Sequence, residues 1–302
     1  MKVQVLLSSF NGEKYLPEQI ESILRQEDVE VSLLIRDDGS SDNTVKIINH
    51  YKKKYDNIKL VSGNNVGWRE SFLELIARSG ESDYYAFSDQ DDIWLSNKLA
   101  RAVQQIERLK TEGKKTSRPI LYQSISKYVD EDLNVIPIHI VYEEPKCMND
   151  ALLNSWAQGC NMVFNRELRD LLLMHKPSSK CAHDMWVYLV AYFFGTIIFD
   201  KHPFILYRQH KDNITGGGAI KRNYMVSVKS LLEGKLYVNY GEELYKGYRN
   251  LMNPAQLSLT EKWALYRKSM KYKRELLKDK TVRRQSILGT AGLKTMILLS
   301  RM

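Results

Sequence analysis

Strand and helix patterns alternate without interruption from residue 1 to residue 110, and no other feature restricts the possible folds as strongly. The apolar run VQVLLSS predicts a buried strand. YLPEQIESILRQ predicts a helix with Pro17 in its first turn, where a missing N–H is harmless. VEVSLLIRDD, IKLVS and YYAFS predict three more strands. The helices between and after them are SSDNTVKIINHYKKKY, WRESFLELIARS and SNKLARAVQQIERLK. In the first of these Val45, Ile48 and Tyr51 recur at helical spacing, and Ser96 or Asn97 is placed to begin the last. A repeated strand-helix-strand order requires crossovers. The expected fold is therefore α/β, a mostly parallel central sheet flanked by helices, with ligands bound at the carboxyl ends of its strands.

Each polar cluster in this half falls at one of those ends. Ser8-Ser9-Phe10-Asn11-Gly12 follows the first strand and Asp37-Asp38-Gly39-Ser40-Ser41 the second. Gly63-Asn64-Asn65-Val66-Gly67 follows the third and Asp89-Gln90-Asp91-Asp92 the fourth. Any one of them alone is ordinary turn and capping chemistry; four converging on one sheet edge mark a site. The three acids in SDQDDIW repel one another, and a divalent cation such as Mg²⁺ or Mn²⁺, which prefers oxygen ligands and often bridges phosphates, would relieve that repulsion. Asp38 is placed either to accept hydrogen bonds from a nucleoside or to shape a turn. The first loop lacks both glycine-rich phosphate-binding spacings, which argues against a dinucleotide-dependent dehydrogenase and a P-loop kinase.

From 111 to 210, PILYQSISKYVD, GCNMVFN, TIIFD and FILYRQH suggest strands, and RELRDLLLMH and HDMWVYLVAYFF helices. After DNITGGG the pattern is helical, most clearly in SLTEKWALYRKSMKYKRELLK, so a domain boundary is expected near 211 to 220. The chain's net charge of +9 comes from an excess of Lys and Arg in this last part. Three cysteines, odd in number and without metal-ligand spacing, suit a reducing compartment. No run approaches the roughly 18 apolar residues of a membrane span; the nearest, SILGTAGLKTMILL, is short and contains Lys294.

The ordered motifs SSFNGEKYLPEQIESILRQ, IRDDGSSDNT, NNVGWRESF, FSDQDDIWLSNKL, GCNMVFN, HDMW and YRQH resemble those of inverting family 2 glycosyltransferases of the GT-A fold. Within that family they are most similar to bacterial rhamnosyltransferases that build cell-wall, capsular or O-antigen polysaccharide. The resemblance covers about residues 1 to 215 and implies a nucleotide-sugar-binding catalytic domain there, with residues 216–302 a separate basic helical region. It implies that Ser9, Asn11 and Glu13 line the nucleotide end of the donor pocket and that Asp38 holds base or ribose. Asp89 and Asp91 form the Asp-x-Asp element, Asp91 as the direct Mn²⁺ or Mg²⁺ ligand and Asp89 nearer the ribose. His210 is a further metal or diphosphate contact, Asp184 the general base, and Trp94, Gly159 and Asn161 shape the sugar and acceptor pocket. The implied reaction is transfer of L-rhamnose from dTDP-L-rhamnose to a lipid-linked glycan, with UDP-glucose, UDP-galactose or UDP-N-acetylhexosamine as alternative donors.

Asp184 begins a strongly apolar helix, where burial would raise and the helix dipole would lower its pKa, and it is placed either to act as a base at the edge of an apolar pocket or simply to cap that helix. In the tail, Trp263, Tyr266, Met270 and Leu277 recur at roughly helical spacing among basic residues. That pattern predicts either contact with an anionic membrane surface or a helical bundle packed on the catalytic domain or a second subunit. The expected location is cytoplasmic, peripheral at the inner face of the cell membrane. A sugar-nucleotidyltransferase would need a basic glycine-rich loop where this chain has SSFNGEKY. A nucleic-acid reader would need a motif that is absent, so nucleic acid is not an expected partner.

Overall fold

The computed structural model describes residues 1–112, 118–138, 144–211, 213 and 237–301. Its centre is one eight-stranded sheet of order β3-β2-β1-β4-β7-β6-β8-β5. The strands are β1 (Lys2–Ser9), β2 (Glu30–Asp37), β3 (Ile58–Ser62), β4 (Tyr84–Ser88), β5 (Ile93–Trp94), β6 (Ile120–Val129), β7 (Met162–Asn165) and β8 (Thr196–Arg208). β1 to β4 are parallel, as their alternation with helices requires, and β7 runs antiparallel between β4 and β6. β6 and β8 run parallel to each other, and β5 closes the edge antiparallel to β8. The segments TIIFD and FILYRQH, expected as two strands, form the single strand β8. Register shifts around Ile125 in β6 let the pairing continue past Pro203, which cannot donate to a ladder.

Helices α1 (Leu16–Leu24), α2 (Thr44–Lys54) and α4 (Lys98–Glu112) accompany one core cluster, built on Val3, Val5, Leu7, Ile20, Ile35 and Leu99. Helices α3 (Trp68–Arg78), α5 (Met148–Leu153), α6 (Arg166–Leu173) and α7 (His183–Phe194) belong to the other, with Leu6, Phe72, Phe87, Phe164 and Trp186. Alternate residues of β1 thus enter opposite cores, which accounts for its unbroken apolar run. α7 is apolar on all sides because it is covered twice, by the sheet and by the C-terminal helices.

Those helices are α8 (Tyr240–Tyr248), α9 (Pro254–Leu265), α10 (Met270–Lys278) and α11 (Ile287–Leu299). The long helix expected over SLTEKWALYRKSMKYKRELLK is instead two, broken after Leu265 and restarted at Ser269, whose side chain accepts from Tyr272 N–H. Trp263 and Tyr266 are buried in the same core as α7. Gln256 Nε2 donates to Phe193 O at 2.5 Å and Trp263 Nε1 to Asn149 Oδ1 at 2.9 Å. Of the face expected either to meet a membrane or to pack on the catalytic domain, Trp263 and Tyr266 therefore pack on the catalytic domain, while Met270 is exposed. The boundary expected near 211 to 220 lies mainly outside the described residues.

Candidate active site

Sheet register aligns the motif residues. Ser9 pairs with Asp37 and Asp37 with Ser62, while Leu7 pairs with Ser88, so the four polar loops leave the sheet side by side. Side chains then lock these loops together. Gln90 Oε1 accepts from Phe10 N–H at 2.8 Å and from the Ser9 hydroxyl at 3.0 Å, and Gln90 Nε2 donates to Phe10 O at 3.0 Å. Asn11, at φ 48°, accepts through Oδ1 from Ser41 N–H at 2.8 Å. Glu13 accepts from both the backbone and side chain of Asn43. Gly39 has φ 80° and a Cβ there would meet Asn65 N at 2.9 Å, so the turn after β2 requires glycine.

Asp38 does not face an open pocket. It is buried and bonds Arg36 Nη1 at 2.5 Å, Val66 N–H at 2.8 Å and Gly67 N–H at 2.9 Å. Arg36, also buried, is held further by Glu74 at 2.8 Å. Burying a charge is tolerable only when it is paired, and this cluster pairs both signs while fixing the loop after β3. Ser9 is likewise buried behind Gln90. Asn161 is fully buried and donates to Ser126 Oγ and Gln158 Oε1, both at 2.8 Å, bracing the turn before β7. Trp94 packs inward, its ring 3.6 Å from Lys98 Nζ, and its backbone N–H donates to Ser22 Oγ at 3.1 Å. Ser9, Asp38, Asn161 and Trp94, all expected to line the donor and acceptor pocket, are thus buried, with side chains consumed by packing and hydrogen bonds.

Asp89, Asp91, His210 and Asp184 do come together. His210 Nε2 lies 2.9 Å from Asp91 Oδ2, with both side chains largely buried. Among the described residues nothing hydrogen-bonds the Asp89 carboxylate, and its pKa is pushed up to about 7, mainly by burial and then by Asp91 and Asp184. Asp184 occupies the first turn of α7, with Ala182 rather than Asp184 at the N-cap, and bonds Met185 N–H at 2.7 Å. Burial raises its pKa to about 6, against the opposing pull of N–H groups and the nearby Arg69. The adjacent His183 is stacked on Phe72 with centroids 3.9 Å apart, and burial lowers its pKa to about 3. It therefore stays neutral near pH 7, leaving Asp184 as the ionisable partner. Gly159 is buried beside both, since a Cβ there would meet His183 Nε2 at 2.6 Å and Asp184 Cβ at 3.5 Å.

Below this rim, Asp92 is fully buried, with Oδ1 accepting from Arg208 N–H at 3.3 Å. Burial raises its pKa well above the usual range and lowers that of the nearby, also buried, Lys98 to about 7. Arg208 is a functional candidate that sequence reading passed over. It is buried beside Tyr15, donates to Asp91 O at 3.0 Å and Glu131 O at 2.7 Å, and pairs with Glu18. The clue lay in its place in YRQH. Gln90 was equally visible inside DQD, but its contacts run 80 residues back in the chain.

The donor chemistry at the rim suits a hard divalent cation. Asp89 and Asp91 offer carboxylate oxygens, among the described residues Asp89 has no cationic partner, and His210 already meets Asp91. Asp89, Asp92 and Cys160 also place ligand atoms within 4.8 Å of one another. There, however, burial raises the Cys160 thiol pKa and Lys98 supplies the countercharge, so the rim set fits better.

Residues 4–171 match the family model Glycosyl transferase family 2. The chain is 29% identical to the dTDP-rhamnosyl transferase RfbG of Shigella flexneri over 70% of this chain and 73% of that one. It is 32% identical to the UDP-Glc:alpha-D-GlcNAc-diphosphoundecaprenol beta-1,3-glucosyltransferase WfgD of Escherichia coli over 32% of this chain and 38% of that one. In fold it is similar to residues 1–349 of S. aureus TarS, solved with UDP-GlcNAc, at TM-score 0.57 and 15% identity over 100% of this chain and 93% of that one. Matched by the family model over more than half its length, and with the GT-A sheet and flanking helices in place, the chain belongs to glycosyl transferase family 2 and is a glycosyltransferase.

Proposed function

We propose that this protein transfers L-rhamnose from dTDP-L-rhamnose, with inversion, to a hydroxyl of a lipid-linked cell-surface polysaccharide precursor. The observation that carries the mechanism is Asp184, a carboxyl raised to about 6 that interacts electrostatically with Asp89 at the carboxyl edge of the sheet. A base of that pKa is largely ionised near pH 7 yet basic enough to accept a proton. Asp184 takes the proton of the acceptor hydroxyl as its oxygen bonds the anomeric carbon and the bond to the diphosphate breaks on the opposite face. Asp91, Asp89 and His210 would hold Mn²⁺ or Mg²⁺, which supplies charge neutralisation for the departing diphosphate. The exposed Asn11 and Glu13 border the nucleotide, while Asp38, Ser9 and Gln90 hold the loops in shape. Gly159 leaves room beside the base, and Asn161 and Trp94 support that region from behind. Arg208 positions the Asp91 loop.

The rhamnosyl donor is supported by the long alignment with RfbG. A UDP-sugar donor is the second reading, favoured by the likeness to WfgD. A lipid-linked acceptor would place the enzyme at the cytoplasmic face of the membrane. The test is release of nucleoside diphosphate from a panel of dTDP- and UDP-sugars with Mn²⁺ or Mg²⁺, with and without acceptor. Turnover of dTDP-L-rhamnose above the others supports the proposal; preference for a UDP-sugar supports the second reading, and no turnover of any donor overturns both.

A further inference from the structure

Helix α11 turns an apolar face outward. Leu293, Met296 and Ile297 anchor it in the core, whereas Ile287 is 88% exposed, Leu288 72% and Leu298 60%. Leu288, Ala291, Thr295 and Leu298 recur at three- and four-residue intervals, so they form one stripe about 15 Å long. Isolated exposed apolar residues are common, but an aligned stripe ending in two adjacent large aliphatic residues is not.

A groove of about 760 Å³ borders this stripe; Ala291 belongs to both, and the neighbouring Ile287 lines the groove. Its basic lining is Lys146, Lys280, Arg283, Arg284 and Lys294, against one carboxylate, Asp150. That carboxylate is already bonded to Lys146 N–H and Asn154 Nδ2. From residue 267 to 301 there are 11 Lys and Arg against 2 acidic residues. Among the described residues no helix is long and apolar enough to cross a membrane.

We infer that α11 lies in the interface of an anionic bilayer, with Ile287, Leu288 and Leu298 among the acyl chains and the flanking cations on lipid phosphates. Apolar wedge and cationic rim match the two layers that an interfacial helix meets. A second copy of the chain fits poorly, since a two-fold contact through α11 would set the cationic rim against itself. The inference rests on the reading of the acceptor as lipid-linked, and it moves the membrane contact from Trp263, Tyr266, Met270 and Leu277 to α11.

The test is flotation of the full chain with vesicles of phosphatidylcholine plus phosphatidylglycerol, or of phosphatidylcholine alone, with no donor present. The expected result is flotation with the anionic vesicles only, weakened by salt. Leu288→Glu with Leu298→Glu reduces it to the neutral-vesicle level, and Lys280→Ala with Arg283→Ala lowers partitioning on the order of tenfold. All four positions are exposed, so unchanged thermal unfolding shows that the fold survives. The inference is overturned if the protein does not float with anionic vesicles at low salt, or if the leucine variants float as the parent does. It is also overturned if the leucine variants dissolve a dimer in sedimentation without changing flotation. A protein that floats but turns over no nucleotide sugar would leave this inference standing and remove the transferase proposal instead.

Discussion

Asp38 separates two accounts of the loop after β2, since its motif predicts a nucleoside contact and its structure a buried brace. Asp38→Asn preserves shape but removes the charge opposite Arg36 and turns an N–H₂ group toward Gly67 N–H or Arg36. Losing a charge-assisted hydrogen bond costs about 1.5–3 kcal/mol, and breaking a buried pair about 3–5 kcal/mol. Glu74 still faces Arg36 at 2.8 Å, which places the expected loss near the lower limit, about 3 kcal/mol. For a chain of this size that lowers the melting temperature by about 5 °C. Adding Arg36→Met removes the orphaned guanidinium, and a double-mutant cycle should recover a large part of the loss. Thermal and urea unfolding measure stability, and calorimetric titration measures nucleotide affinity. An Asp38→Asn protein as stable as the parent that binds nucleotide much more weakly would refute the reasoning and restore Asp38 as a direct ligand contact.

Asp184→Asn should lower transfer about 10²- to 10⁴-fold while leaving nucleotide affinity within about twofold, which single-turnover assays and calorimetry can separate. Because Asp184 acts ionised and its pKa is raised to about 6, the parent rate should climb with pH through about 6 and then level; a flat profile from about pH 5 to 8 would count against it. Asp89 and Asp184 have folded pKa values raised above their ordinary 3.8 to about 7 and about 6. Their contribution to stability is therefore present below the unfolded value and lost as pH rises through about 6 to 7, so the metal-free melting temperature should fall across that window and Mn²⁺ should restore it at the upper end. Gln90→Ala removes three hydrogen bonds between the loops after β1 and β4 and should weaken nucleotide binding about tenfold, read by titration; unchanged affinity would show that the loops hold their shape without it.

By itself the sequence determined the order of strands and helices in the first half of the chain, the parallel core and the sheet edge at which the polar motifs gather. Those properties follow from local periodicity and from the direction that each βα unit must run. Asp89 and Asp91 could be singled out as acids at a strand end and Asp184 as an acid beginning an apolar helix, whereas His210 was singled out by the resemblance that YRQH carries. The tertiary structure alone decided what each side chain meets there. Asp38 is committed to Arg36 and to a loop almost 30 residues onward, Ser9 to Gln90, and His210 to Asp91 across 119 residues. It also decided the faces of the C-terminal helices. Trp263 and Tyr266, with the spacing of a membrane face, are buried against the core beside α7, whereas α11, too short to span a bilayer, carries the outward apolar stripe. Periodicity shows that a helix has an apolar face; only the packing of distant segments decides whether protein already covers it.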